Sequence, residues 1–458
     1  MKTHANYSTY LTHVTCSTMF CLLCVVIAVP GAAGADGSDF LSKFQPYISL
    51  QEEYDSNIDL TPDNEIDDFI TTISPGLRFS TLGRSETTGQ YRLPSSTVEG
   101  ASGFDFDYRL GLFFYAKESD RNYIGVDGTL NAWYTVEQRW RFQLRNYSIR
   151  SQDSREPDYS STALPGQSLL STQRVLEPYF RNVLAPSAGY QFGRENQVSI
   201  NYVNNIYLAE SSSSEDSMEN YINPRLIYWF DIKNGFSLEY GLTLAEFDTS
   251  ADFTGQIGRG RYTYRFNPRT SAFVDYLFQW VDFDFPEVDY YVNRPAVGVE
   301  HAFSRTLSGR LEGGFFTYNP EIGKTYTRPY YSLALTQAEQ KTTYSLSFQG
   351  GYAEDYFTSE NLGFTFYHRA LGNITHRLTE ELTLGLTGSV ERAEYPRTLS
   401  VIENREDWIY GVWGKASYQV LRWLLLGLDV SYSQDSSNFD VNEYKDFRTV
   451  FNVTATYF

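Results

Sequence analysis

Along Thr342–Tyr352 apolar and polar side chains alternate: Tyr344, Leu346, Phe348 and Tyr352 share one parity, and Thr343, Ser345, Ser347 and Gln349 the other. A period of two marks a strand with one apolar and one polar face. The same pattern recurs in Phe236, Leu238, Tyr240, Leu242 and Leu244 against Ser237, Glu239 and Thr243, and again in Leu382, Leu384, Leu386 and Val390 against Thr383, Thr387 and Ser389. Read through the chain, the alternation predicts strands near 44–54, 68–80, 103–115, 122–136, 138–149, 173–193, 196–208, 219–231, 235–247, 253–266, 270–283, 290–303, 306–318, 326–337, 341–354, 362–376, 379–393, 406–420, 422–434 and 445–458. That is about twenty, within a range of about 18–22 given the softness of strand boundaries.

The connections alternate too. Short links at Val420–Leu421, Arg377–Leu378, Asn267–Arg269, Ile232–Asn234 and Gly193–Glu195 are interleaved with longer ones at Glu394–Arg405, Asp355–Asn361, Asp248–Asp252, Glu210–Met218 and, longest, Ser151–Thr172. Short turns on one rim and longer loops on the other are what a membrane barrel produces. Thr81–Ser102 breaks the rule, being long where a short turn is due, and leaves room for an extra hairpin or plug-like segment.

The apolar faces must be hidden from water. After the first few dozen residues no apolar run approaches the length of a membrane helix. Mean hydropathy is negative, yet aromatic residues make up 17% of the chain, with 37 Tyr and 32 Phe. A β-barrel is the one architecture that is polar on average and still spans a bilayer, and it must close, since an open edge would leave backbone groups unpaired in hydrocarbon. The expected fold is therefore all-β: a closed antiparallel transmembrane β-barrel of about twenty strands.

Met1–Ala35 reads as a secretory signal peptide: Lys2, the apolar run Met19–Val29, then Pro30 and small residues with Ala33 and Ala35 as an A-x-A cleavage site. The expected domains are the signal peptide 1–35 and a single barrel domain 36–458. Cys16, Cys21 and Cys24 all fall in the leader, so disulfides, thiolate metal sites and cysteine nucleophiles are not expected afterwards. The net charge of −19, with acids crowding the longer connections, argues against nucleic acid as a partner.

Phe44–Ser80, FQPYISLQEEYDSNIDLTPDNEIDDFITTISPGLRFS, resembles the opening of a family of outer-membrane β-barrel porins in its P-Y-x-S-L start, E-Y-D-x-N, the T-P-x-N-E-x-D-D loop and the S-P-G-L-R second strand. The resemblance implies a porin-like barrel in the bacterial outer membrane, often a companion of exopolysaccharide synthesis and export systems. It brings no catalytic or binding residues. The terminal Phe458 also resembles the signal by which outer-membrane barrels are recognised for insertion, although Thr456 stands where an aromatic is usual.

Parity assigns the lumen. If Trp140, Phe142 and Leu144 meet lipid, then Arg139, Arg141 and Arg145 face inward; the same logic turns Arg259, Arg261 and Arg265 inward, followed by Arg109, Arg310, Glu312 and Arg328, with Asp105, Asp107, Glu239 and Asp275 as counter-charges. A charge on the lipid face would cost about 2–4 kcal/mol near the midplane. These residues would line a selective aqueous channel or knit an interior ionic network. Ser151–Thr172 is the candidate for an infolded constriction, its apolar piece Ala163–Leu170 being poorly placed in water.

Other chemistry finds little support. Asp55-x-Asn57-x-Asp59 opens like a calcium loop, but Leu60 stands where Gly is needed and Ile66 where Glu is needed, so no metal or other cofactor is expected. After the leader only His301, His368 and His376 remain, and no G-x-S-x-G or H-E-x-x-H motif occurs, so no enzyme is expected. A periplasmic propeller would repeat a blade motif, and none is seen. The expected function is passive diffusion or export of small or anionic saccharide-type solutes, among partners that include outer-membrane lipid and lipopolysaccharide. The alternative is a non-conducting structural or adhesin barrel, or an accessory protein of exopolysaccharide secretion.

Overall fold

The alternating segments fold as strands of one sheet in the computed structural model, which describes residues 43–81, 102–155, 178–210, 215–357, 362–396 and 404–457. The strands are β1 (Phe44–Asp55), β2 (Asp68–Ser80), β3 (Ser102–Tyr115), β4 (Tyr123–Val136), β5 (Trp140–Ser151), β6 (Tyr179–Gln191), β7 (Gln197–Ala209), β8 (Ser217–Trp229), β9 (Asn234–Phe247) and β10 (Phe253–Asn267). They continue as β11 (Thr270–Phe283), β12 (Tyr290–Ala302), β13 (Leu307–Pro320), β14 (Tyr326–Ala338), β15 (Thr342–Asp355), β16 (Gly363–Arg377), β17 (Leu382–Tyr395), β18 (Arg405–Leu421), β19 (Leu424–Ser437) and β20 (Tyr444–Thr456). Each pairs antiparallel with the next. β20 returns to β1, with Tyr47 opposite Thr456 and Asp55 opposite Arg448, so the sheet is a closed 20-stranded barrel.

The rims differ as expected. Turns at 137–139, 268–269 and 422–423 form one rim, and connections at 56–67 and 284–289 stand on the other. The leader, residues 82–101 of the anomalous link, residues 156–172 of the long loop and Phe458 lie outside the described residues.

Contacts between strands that are not neighbours can run only through the interior, and they identify the inner face. Arg155, just past β5, reaches Asp55 and Asp446 at 2.8 and 2.9 Å. Arg181 of β6 donates to the Phe357 carbonyl beyond β15, and Gln279 of β11 to Glu354 of β15, both at 2.6 Å. The parity opposite to these residues carries exposed Ile48, Leu50, Leu238, Val274, Trp280, Leu386, Val412 and Phe451. Leu386 and Val412 are both 52% exposed, a level that would be wasteful on a water-facing surface and is natural against lipid. Near the short-turn rim this outer face carries an aromatic girdle, in which Trp140 meets Tyr190 at 4.5 Å and Phe230 meets Phe236 at 5.4 Å.

Candidate functional site: the inner wall

The strongest charge cluster sits at mid-height on β10–β13. Asp275, wholly buried, accepts from Arg259 Nε and Arg261 Nε, both at 2.8 Å, and Arg294 approaches to 3.5 Å. One row away Arg310 bridges Glu312 at 2.7 Å and Glu300 at 3.1 Å. Cross-strand register explains the assembly, since Arg261 is opposite Asp275 and Glu300 is opposite Arg310. The rings behind them take the cations' open faces: Phe273 lies under Arg261 and Arg310, at 4.2 and 4.9 Å from the guanidinium carbons. In this cluster every arginine has a carboxylate, so its first effect is to hold the wall together.

The other expected residues are scattered. Arg109 pairs with Asp127 at 3.1 Å, and nearby Arg78 takes Asp107 at 2.7 Å, while Asp105 accepts from Ser80. Glu239 accepts from Asn223 Nδ2 at 3.2 Å. Arg265 sits low, beside the short-turn rim, paired with Glu195 at 2.7 Å and stacked 3.4 Å over Trp229. Arg139 is not in a strand: β5 starts at Trp140, and Arg139 lies exposed in the preceding turn, where the chain reverses. Arg141 and Arg145 lie on the inner face of β5, Arg145 exposed. Arg328 is high on β14, bound to Glu394 at 2.8 Å and set over Phe366. The expected residues therefore form one compact group, Arg259, Arg261, Arg310 and Glu312, and several separate ones.

The inner face is not polar throughout, which the alternation did not foresee. At the long-connection rim Val281, Tyr290, Val292, Phe316, Phe364 and Phe366 form a buried cluster, joined by Tyr318, Tyr352, Tyr356 and Phe357. Tyr352 has the parity of lipid-facing Tyr344, Leu346 and Phe348, yet packs 5.2 Å from Phe316 inside. The cause is an inward bend of the β15–β16 hairpin. Register between β14 and β15 stops at Tyr331 opposite Gly350, while β15 and β16 stay paired to Asp355 opposite Gly363. Beyond Gly350–Gly351 the hairpin therefore leaves the wall, and its formerly outer face lies against the inner face of β11–β14. At Gly350 a Cβ would stand 2.4 Å from the Tyr331 ring, so this approach requires glycine. Glu354 is enclosed there and accepts from Gln279 and Tyr290, and Arg181 holds the Phe357 carbonyl from the far wall.

Two further segments enter the same mouth. Ile58 and Ile66 of the β1–β2 connection cover Ile70 and Tyr115, and Ser154 Oγ donates to the Ile58 carbonyl at 3.0 Å. Asp153–Arg155, the first residues of the long loop, fold inward against β1 and β20, where Arg448 bridges Glu53 and lies 3.5 Å from Asp153. Burial disfavours the Asp153 charge, but Arg448 and Arg155 overcome it and hold the carboxyl below the usual carboxylate range. For Arg155, burial is likewise outweighed, here by Asp55, Asp153 and Asp446, which keep the guanidinium above its ordinary value. The supposed calcium-loop residues are engaged by protein: Asp55 by Arg155, Asn57 by the Thr61 and Lys445 carbonyls, Asp59 by both terminal nitrogens of Arg121.

A closed strand barrel, apolar outside and charged within, defines a porin-like protein. Residues 248–457 match the family model described as "Putative beta-barrel porin 2", a porin family as the resemblance of Phe44–Ser80 implied. No curated protein sequence matches the chain. Among solved structures it is similar to a mutant of the ferric enterobactin receptor PfeA of Pseudomonas aeruginosa in complex with enterobactin (7% identity, 91% of this chain and 81% of that one covered, TM-score 0.48). It is also similar to OprD (9%, 93% and 98%, 0.41) and opdK (10%, 91% and 100%, 0.45) of the same organism. Such distant likenesses say nothing of cargo, and the closure of this barrel rests on its own strand pairing.

Proposed function

We propose that the protein is a passive channel of the bacterial outer membrane that admits small polar solutes, anionic saccharides foremost, and catalyses no reaction. One observation carries this reading: below the packed mouth, the inner face of β5–β8 and β15–β19 is lined mainly with small hydroxyl and amide side chains and with arginine, interrupted by Leu371 and Trp413. The polar residues include Gln143, Arg145, Ser187, Asn201, Ser345, Asn373 and Thr387. Such a wall hydrates readily, and a barrel of this strand number is wide enough to hold water.

Purified protein in planar bilayers tests the reading. Stepwise conductance with reversal potentials favouring anions is the expected result. A second reading is favoured by the inward-bent hairpin, which obstructs the mouth: a non-conducting structural or accessory barrel of an exopolysaccharide system. Electrical silence, together with normal insertion into the bilayer, would select it.

A further inference from the structure

Among the described residues most inner-wall cations are neutralised by neighbours, but Arg145 and Arg225 are not. Arg145 on β5 and Arg225 on β8 are both exposed on the inner face, and among the described residues neither makes an ion pair or a side-chain hydrogen bond. The reason lies in their register. Arg145 stands between Asn131 and Ala185, neither of which is acidic, and Asn131 is already the acceptor for Gln143. Arg225 stands between Ser199 and Glu239, and Glu239 is engaged by Asn223. Between the two arginines the wall is made of small groups, Ala185, Ser187 and Gly189 on β6 and Ser199 on β7.

We propose that Arg145 and Arg225 are the two poles of a binding site for a hydroxylated polyanion, an oligosaccharide bearing spaced carboxylates. The inference rests on the channel reading and adds to it the place of recognition. With strands about 4.8 Å apart, β5 and β8 are separated by roughly 14 Å. Arg225 lies in the row of Arg141, four residues from Arg145, and at about 3.3 Å per residue this offset adds roughly 13 Å along the strands, so the poles stand roughly 20 Å apart on a diagonal. Two extended guanidinium arms narrow that span to the length of an oligosaccharide of a few residues. A guanidinium binds a carboxylate through paired N–H donors. Gln143, Ser187, Ser199 and Asn201 supply donors and acceptors for sugar hydroxyls. A neutral sugar would meet the floor and neither pole. A monovalent anion would meet one pole and lack the second.

The test uses full-length protein in planar bilayers, with oligogalacturonate as the probe and maltooligosaccharide as its neutral counterpart. Oligogalacturonate is expected to interrupt the current at concentrations where the neutral sugar does not. Arg145→Gln and Arg225→Gln are each expected to weaken that block by about tenfold, the loss of a hydrogen-bonded charge. Lysine at both positions should restore part of it. Arg422→Gln, an equal charge change in the turn between β18 and β19, should leave it unaltered. Equal block in wild type and in the double glutamine variant, with conductance intact, would overturn the site and leave the channel standing. If no form conducts, the channel reading falls, and calorimetric titration of the detergent-solubilised protein with oligogalacturonate decides the site alone: binding lost in the double variant upholds it, and unaltered or absent binding refutes it.

Discussion

The two halves of the barrel interior share one sheet and one alternation, yet they are built for different things. Toward the long connections the inner residues are Val281, Tyr290, Val292 and Phe316, covered by Phe364 and Phe366 of the bent hairpin. Toward the short turns many are small or polar, such as Ser345, Ser347, Asn373 and Thr387, and the rings found there stand apart from one another: Phe273 lies under Arg261, Trp229 under Arg265, and Trp413 opposite Thr387. A strand pattern specifies only that neighbours point to opposite sides. Whether an inward side chain meets water or protein depends on what else enters the space, and that is decided by connections far away in sequence.

Substitutions can break this contrast. Phe316→Ala, at a wholly buried position, is expected to destabilise the barrel by about 3–5 kcal/mol in urea unfolding from lipid vesicles. Ser347→Ala, at the same radius in the lower half, should stay within about 0.5 kcal/mol. Comparable losses at both sites would mean that the halves are equally packed. On the wall itself, Leu386→Arg should cost about 2–4 kcal/mol by the same measurement, because Leu386 faces acyl chains. Arginine at its neighbour Thr387, which faces inward, should cost much less. The double change Phe364→Ala with Phe366→Ala should unseat the hairpin and raise single-channel conductance, and an unaltered conductance would show that the hairpin does not limit flow.

The smallest expected effect concerns pH. A carboxyl whose folded pKa is depressed contributes stability that is fully present above its unfolded pKa of about 4 and is lost as pH falls through the folded value. The melting temperatures of wild type and Asp153→Asn should therefore differ by a constant amount from pH 7 down to about 5. They should converge only below the ordinary aspartate range. Convergence near neutrality would mean that Asp153 is not held by Arg448 and Arg155.

Legibility followed the range of the interactions involved. The strands were legible because each is defined by neighbours two residues apart, and the alternation of long and short links gave their antiparallel order. Arg259, Arg261 and Asp275 could be paired from parity and hairpin register alone. Arg139 was misplaced because parity cannot see where a strand gives way to its turn. Tyr352 was misassigned for a different reason: its pattern is that of a lipid-facing residue, and only the departure of β15 from β14 reverses its surroundings. The Gly350–Gly351 pair was the available signal, since adjacent glycines in a strand mark a bend or a close approach. Arg225 was overlooked for want of arginine neighbours, and its one acidic neighbour, Glu239, is engaged by Asn223.

The point where β14 and β15 part has a consequence for how the molecule sits in its bilayer. Above Tyr331 and Gly350 the facing margins of these two strands no longer satisfy each other's amide and carbonyl groups. Such margins are intolerable in oil, so on this flank the acyl region ends at or below that level, and the rest of the seam stands among headgroups and water. Across that seam side chains take over from the backbone, Arg328 reaching Glu394 at 2.8 Å and Tyr326 packing 5.5 Å from Phe366, so this flank of the wall is sealed by contacts with which water can compete.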